Sequence, residues 1–461
     1  MTDARTAFVL AGGGAKGAFE AGAVRYLVEE LCLTPDVITA ASAGALAGGV
    51  LAQARSLEEF QLHTRQLRDD LLAMTDVDTL FGRQPWVEAL QGTPLGRVID
   101  EYVTERTRPP IPGDEGSGAT GVVPSGPAGR RRPVDIVSDA LKVLPALPKA
   151  RRGLRTNRSS LLTLDPLARA LRAGGPTGIH ALDPTSIGRP GLDLRLAVTA
   201  LRAGVVRYVT ERGVIVESDA LTPVPGPGGG PVDIIEGMLA SASVPMVFAP
   251  RPLADDVYVD GGVVQNIPVE AAVRLGATRV IAILAVPLVA PVDTRDFSAM
   301  DLVGLFLRAV GDIAFMDRQR TNLAYPLPAG ASLTVIDPVV DVVGPFEVSP
   351  GLMVIDMDYG WLRAADVLAD VDEPVRQSAA AGTDALVTAR TRAWHHEETL
   401  WRAPRVGAGD LAELRQLKDA VRDALDRRQK LGLAVPLDTE PWWSGYERHL
   451  GSRPPGLPEH L

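Results

Sequence analysis

Short apolar runs that end on glycine or other small residues, each followed by a stretch with helical spacing, open the chain. Ala7–Leu10 is one such run, closed by Gly12, Gly13 and Gly14. A few consecutive apolar residues bounded by turn formers predict a buried strand. Ala18–Leu31 then places Phe19, Val24, Leu27, Val28 and Leu31 at helical intervals. Val37–Ala41 predicts a second strand, and Gly44–Ala54 a second, alanine-rich helix. Strand, tight turn and helix, twice in succession, predict an α/β fold on a mainly parallel sheet.

The same pattern continues more sparsely. Leu194–Leu201, Val257–Asp260 and Arg279–Val286 read as strands, the last nearly all apolar and so expected inside the sheet. Ile234–Ser243 reads as a helix. Asp301–Met316 is expected to be a helix with Leu302, Leu305, Phe306, Ile313 and Met316 along one side. Its further apolar residues, among them Leu307, Val310 and Phe315, predict burial on most sides; the other reading is a face lent to a lipid surface. Arg106–Arg158, rich in Pro, Gly and Ser, is expected to be an irregular insertion with a short helix near Ile136–Leu144. From Asp372 the chain turns helical and charged. Leu411, Leu414, Leu417, Val421 and Leu425 make one stripe, too short for a coiled coil. The expected division is a catalytic domain over 1–375 and a helical C-terminal extension over 376–461. There are no internal repeats.

Composition narrows the function. Of 461 residues, 46% are hydrophobic and 23% charged, the balance of a globular protein. A formal net charge of −10 disfavours nucleic acid as a partner. A lone cysteine, Cys32, excludes a disulfide framework and a cysteine-based zinc site. No secretory signal is visible at the start. Val37–Ala54 is uncharged but too rich in Ala, Gly, Ser and Thr to insert well into a bilayer. A cytoplasmic protein is expected.

Three segments carry candidate chemistry. In Leu10-Ala-Gly-Gly-Gly-Ala-Lys-Gly17, the spacing of Gly12, Gly14 and Gly17 suits a dinucleotide loop, with Asp36 as a ribose-binding acid and an oxidoreductase as the function. It equally suits an oxyanion hole, whose backbone N–H groups meet a developing negative charge, or a plain tight turn. Lys16 is open between a site role and a solvated surface lysine. In the second segment, Ser42 stands between an apolar strand and a helix, with the small residues Ala40 and Gly44 two positions to either side. That is the spacing of a strained nucleophile turn, although Ala40 stands where the usual pattern has glycine. A helix N-cap is the plainer reading of Ser42.

A serine nucleophile needs a base. His63, His180, His395, His396, His449 and His460 all read as solvated surface residues, none of them at a strand end beside a turn. Asp260 does close a strand, and Gly261 and Gly262 force a sharp turn behind it; its plainer reading is a turn-forming aspartate.

The combination of Gly12–Gly17, Ser42-Ala-Gly44 and Asp260-Gly-Gly262 with Asn266 and Pro268 resembles the patatin-like phospholipases. Asp165-Pro-Leu167, Ala197–Leu201 and Ala240-Ser-Ala-Ser-Val-Pro245 are similar too, so the likeness runs over roughly residues 6 to 370. It implies a three-layer α/β/α sandwich and a Ser42–Asp260 pair that works without histidine. Gly12, Gly13, Gly14, Lys16 and Gly17 would form the oxyanion loop, with Ala40, Gly44, Gly261 and Gly262 supporting the two turns. The resemblance further implies a phospholipid or lysophospholipid ester as substrate, peripheral membrane contact, and chemistry that needs neither cofactor nor metal. The reading that competes at this level is a non-catalytic scaffold whose C-terminal extension binds an unidentified protein.

Overall fold

A computed structural model of the chain describes residues 4–75, 77–90, 160–175, 178–224, 231–254, 256–289, 297, 305, 307–436 and 441–460. The insertion expected over Arg106–Arg158, with its short helix, lies outside the described residues.

The chain starts with β1 (Thr6–Leu10), α1 (Gly17–Glu29), β2 (Val37–Ala40), α2 (Ala43–Leu51) and α3 (Leu57–Ala73). A small sheet joins β3 (Gly82–Arg83), β4 (Ser160–Thr163) and β8 (Met246–Phe248). The main sheet adds β5 (Asp193–Ala200), β6 (Val205–Thr210), β7 (Ile215–Val216), β9 (Arg251–Leu253), β10 (Asp256–Asp260), β11 (Arg279–Ile283) and β12 (Ser332–Ile336). Its order is β12-β11-β1-β2-β5-β10-β9, with β6 and β7 branching from β5. Strands β12, β11, β1, β2 and β5 run parallel, whereas β10 is antiparallel to β5. Every residue of β1 and β2 is buried, as a parallel sheet covered on both faces requires.

Helices α4 (Ile234–Ser241), α5 (Val269–Arg274), α6 (Ala314–Leu323), α7 (Pro350–Leu368), α8 (Glu373–Trp401) and α9 (Ala408–Lys430) complete the described elements used below. Helices α1 and α7 cross at very short range. A Cβ on Gly22 would lie 1.7 Å from the Met357 carbonyl oxygen, and one on Gly360 would lie 1.8 Å from that of Phe19. Only glycine fits at either point, because the obstacle is backbone and no rotamer relieves it. Helix α1 has no side-chain cap of its own. Instead, Asp356 of α7 accepts the Phe19 N–H at 3.1 Å, pairing one of the donors that a helix start leaves open.

Two expectations are corrected. The described residues within 301–316 do not form one buried helix. A π-helical stretch, Leu307–Ile313, runs into α6, and Val310 and Ile313 are 45% and 57% exposed. The histidines are not all surface residues either. The His449 ring is fully buried, stacked between Trp394 and Trp401 at centroid distances of 5.0 and 5.2 Å. Its two ring nitrogens meet Glu397 at 3.1 Å and Glu398 at 2.5 Å. Glu397 also faces buried Arg390 and Lys418. Burial pushes its carboxyl up, but Arg390, His449 and Lys418 together outweigh that and hold it down at about 2. A polar residue in this charged segment is buried because its partners are buried with it.

Candidate active site

The site assembles where β1, β2 and β10 end. Ala40 of β2 is level with Leu196 of β5, so Ser42 is two residues beyond that level. Val198, two residues beyond Leu196, pairs with Asp260 of the oppositely running β10. Strand register alone therefore brings Ser42 and Asp260 to one height at the carboxyl edge of the parallel strands, where α/β folds place their ligands.

Ser42 has φ 54° and ψ −126°, a conformation that costs a non-glycine residue about 1–3 kcal/mol. The turn is held by its neighbours. The Ser42 N–H donates to Ser241 Oγ at 3.0 Å, and Ser241 donates to the Ala197 carbonyl at 2.6 Å. Ala41 N–H donates to the Leu10 carbonyl at 3.1 Å. A Cβ on Gly44 would lie 2.5 and 2.6 Å from the Ala11 and Leu10 carbonyl oxygens, which accounts for glycine there. Ala40 is accommodated because Gly48 stands across from it on α2. The Ser42 side chain makes no cap bond to α2, so the N-cap reading does not describe it.

Asp260 is 4% exposed. Its Oδ1 accepts the Gly262 N–H at 2.6 Å, while Oδ2 makes no well-aligned hydrogen bond among the described residues. Burial raises its pKa from the ordinary 3.8 to about 6, against the opposing pull of the Ser42 hydroxyl and the Gly262 N–H. Its backbone is fixed at both ends: the N–H donates to the Ser243 carbonyl at 2.9 Å, and the carbonyl accepts from Thr199 Oγ1 at 2.9 Å. A Cβ on Gly261 would lie 2.3 Å from the Ala197 carbonyl oxygen, and one on Gly262 2.9 Å from Asp260 Oδ1. Neither Ser42 nor Asp260 shares a hydrogen bond with any histidine among the described residues.

The glycine loop lies against this pair. A Cβ on Gly12 would meet Ser42 Cβ at 2.6 Å and Asn266 Oδ1 at 2.5 Å. Asn266 grips Gly12 from both sides, accepting its N–H at 3.1 Å and donating to its carbonyl at 3.2 Å. The Gly12 donor is thus occupied, whereas the N–H groups of Gly13 and Gly14 have no partner among the described residues. Gly14 has φ 63°, and a Cβ there would lie 2.1 Å from the Pro345 carbonyl oxygen. Ala15 N–H donates to that same carbonyl at 2.8 Å. A Gly13 side chain would run into Ala285. Gly17 is less constrained; a Cβ would make only ordinary contact with Ala43, and the residue serves to begin α1. Lys16 is 13% exposed and pairs with Asp341, so it is neither a solvated lysine nor directed at Ser42.

Asp36 settles the dinucleotide alternative. It precedes β2, and its carboxylate accepts the N–H of Thr6 at the start of β1. That places it at the amino end of the strands, across the sheet from the loop it would have to serve. Among the described residues there is no group of three or more His, Cys, Asp or Glu side chains able to hold a metal ion. No described helix is long and apolar enough to cross a membrane.

Ser241, within the Ala240–Pro245 run, supports the site together with Pro345, Asp341 and Gln319, which backs Asn266 at 3.4 Å; the last three were not singled out from sequence. Ser241 sits in a run of small residues that marks a close approach. The others come from distant segments with no local signature.

A family model described as patatin-like phospholipase matches residues 8–273, which include the glycine loop, Ser42, Asp260 and Asn266. The patatin-like phospholipase domain-containing protein 7 of Rattus norvegicus is 36% identical over 109 residues. That match spans 23% of this chain and only 8% of the rat protein's length. Among solved structures, VipD from Legionella pneumophila aligns with 14% identity and a TM-score of 0.26, over 96% of this chain and 83% of its own. The ExoU–SpcU complex of Pseudomonas aeruginosa aligns with 17% identity and a TM-score of 0.22, over 95% and 68%. With the family model spanning over half of its residues, this α/β chain belongs to the patatin-like phospholipase family.

Proposed function

We propose that the chain is a lipid acyl hydrolase that cleaves carboxylic esters of phospholipids or lysophospholipids through an acyl-serine intermediate. One observation carries the reading: a strained serine faces a buried aspartate whose pKa is raised to about 6, beside two backbone donors without partners among the described residues.

In this reading Ser42 Oγ attacks the acyl carbonyl and Asp260 takes the hydroxyl proton. A base with a pKa near the working pH is well matched to that transfer. The carbonyl oxygen gains negative charge between the N–H groups of Gly13 and Gly14, whose fixed orientation stabilises the transition state more than the substrate. Collapse of the tetrahedral adduct expels the alcohol, which recovers the proton from Asp260. Water, deprotonated by Asp260, then attacks the acyl-serine, and the fatty acid leaves as Ser42 Oγ takes the proton back from Asp260. Neither a metal nor an organic cofactor takes part. A cytoplasmic protein that meets its substrate at a lipid surface fits this chemistry.

The test is labelling with a fluorophosphonate serine probe, paired with mass spectrometry of products released from mixed phospholipids. Labelling at Ser42 and release of free fatty acid, both abolished in Ser42→Ala, are the expected results. Fatty-acid release that survives Ser42→Ala would reject the proposal. An unlabelled, inert native protein would favour the scaffold reading.

A further inference from the structure

One buried acid takes no part in the chemistry above. Glu20 stands in the first turn of α1, the helix that begins where the glycine loop ends, and none of its surface is exposed. Neither of its carboxyl oxygens has a hydrogen-bond partner among the described residues. The backbone donor that acts on it, the N–H of Ala11 just before Gly12, is already bonded to the Ile283 carbonyl at 3.1 Å.

No cation faces Glu20 among the described residues. The charged group that acts on it is a second buried acid, Asp356 of α7, whose Oδ2 is occupied by the Phe19 N–H. Lys16 acts on Asp356 rather than on Glu20, and it is paired with Asp341. Helices α2 and α3 also pack on α1 but bring no charged group to bear on Glu20. A carboxylate set without water, hydrogen bond or counter-ion is very costly, whereas the neutral acid is tolerated. Burial accordingly raises the Glu20 pKa well above 4.5, opposed by the Ala11 N–H and helped by Asp356.

We propose that Glu20 is carried as a neutral acid behind the oxyanion loop, and that its ionisation shuts down the Ser42 centre at alkaline pH. The inference rests on the acyl-hydrolase reading above. A helix start presents about half a positive charge, and α1 starts beside the N–H groups of Gly13 and Gly14. A neutral Glu20 leaves that field to the oxyanion. An ionised Glu20 places a full negative charge in the same turn, shielded from water, and outweighs it. Glu20 touches no substrate and acts only through this field. Asp260 works when it has lost its proton and Glu20 when it has kept its own, so activity has an upper as well as a lower limit in pH.

The test is the pH profile of kcat/KM for a soluble short-chain ester, taken from about pH 5 to about pH 10.5 on the full chain, with circular dichroism to verify the fold at each pH. Native protein, Glu20→Gln and Glu20→Leu are compared. Above an alkaline midpoint the native value should fall about tenfold per pH unit, and in both variants this falling limb should be gone. The rising limb near 6, which belongs to Asp260, should remain in all three. Infrared difference spectra at about pH 8, native minus Glu20→Gln, should show the C=O stretch of a protonated carboxyl. A native profile without a falling limb, a limb that persists in either folded variant, or a missing carboxyl band would each overturn the inference while leaving the hydrolase reading intact. A native protein that hydrolyses no ester at any pH would overturn the hydrolase reading and this inference with it.

Discussion

Asp260→Asn should abolish turnover and at the same time make the protein more stable above pH 6. The carboxyl ionises near 6 in the folded chain against an ordinary 3.8. Folding therefore favours its neutral form by about a hundredfold, or about 3 kcal/mol. The sign follows from proton counting. Between about pH 4 and pH 6 the folded chain holds a proton that the unfolded chain has released, so this residue's contribution to stability falls as pH rises. Above pH 6 the native protein carries the full penalty of a buried, poorly solvated carboxylate. An asparagine keeps an oxygen for the Gly262 N–H and carries no charge. Urea denaturation at pH 4.5, 6 and 8 would measure the effect. The variant should gain about 3 kcal/mol at pH 8, less at pH 6, and converge on the native protein towards pH 4. In the native enzyme, kcat/KM should rise with pH through a limb near 6 as the base loses its proton. A variant with the same relative stability at all three pH values would refute the burial argument, and one that turns over normally would refute the role of base.

Ser42→Gly should be inactive yet about 1–2 kcal/mol more stable than Ser42→Ala, because glycine adopts the positive φ without strain; equal denaturation midpoints would show that the elbow stores no strain. Gly14→Ala should lose rate by displacing an oriented donor, at about 3 kcal/mol. It should also lose stability, since φ is 63° and the Pro345 carbonyl blocks a side chain; an unchanged Tm would contradict the second effect. Ile313→Glu should cut hydrolysis of vesicle lipids about thirtyfold, the worth of about 2 kcal/mol of apolar contact, while a soluble short-chain ester is cleaved normally. Equal losses on both substrates would point to damaged packing. His449→Ala should unfold the segment around 446–449, detected as faster proteolysis there, because Glu397 and Glu398 lose a buried partner. Normal resistance would show that the imidazole is not holding it.

Much of the framework was legible because local pattern and tertiary need agree. The β1–α1–β2–α2 run combines buried parallel strands with alanine-rich helices; Phe8, Leu10, Ile38 and Ala40 face the same core as both helices, while Ala7, Val9 and Val37 face the opposite layer. Ser42 and Asp260 were legible for a similar reason, since a strand ending on a reactive side chain followed by glycine has few structural uses. Periodicity failed at 301–316, where it counts apolar residues without stating what covers them; Val310 and Ile313 are 45% and 57% exposed. It failed at His449 for the opposite reason. The run around Glu397 and Glu398 reads as charged and solvated in sequence, but Glu397 is buried with Arg390 and Lys418, and the imidazole is stacked between Trp394 and Trp401. The hydrogen bonds of Asn266 to Gly12, Ser241 to Ser42 and Pro345 to Ala15 span 254, 199 and 330 residues of chain, beyond any local window.

The glycine crossing of α1 and α7 has a consequence for the order in which the chain can be completed. The helix that follows the glycine loop is synthesised well before the surface it packs against, centred on Gly360, which follows about 340 residues later. At roughly 5–20 residues per second, α1 waits on the order of half a minute on the ribosome with its Phe19 side uncovered. The family-matched segment 8–273 ends before α7 begins, so shortening the chain to that segment would leave the same surface permanently bare. Expression of that segment alone should give a chaperone-dependent, aggregating product, and supplying α7 in the same chain should cure it.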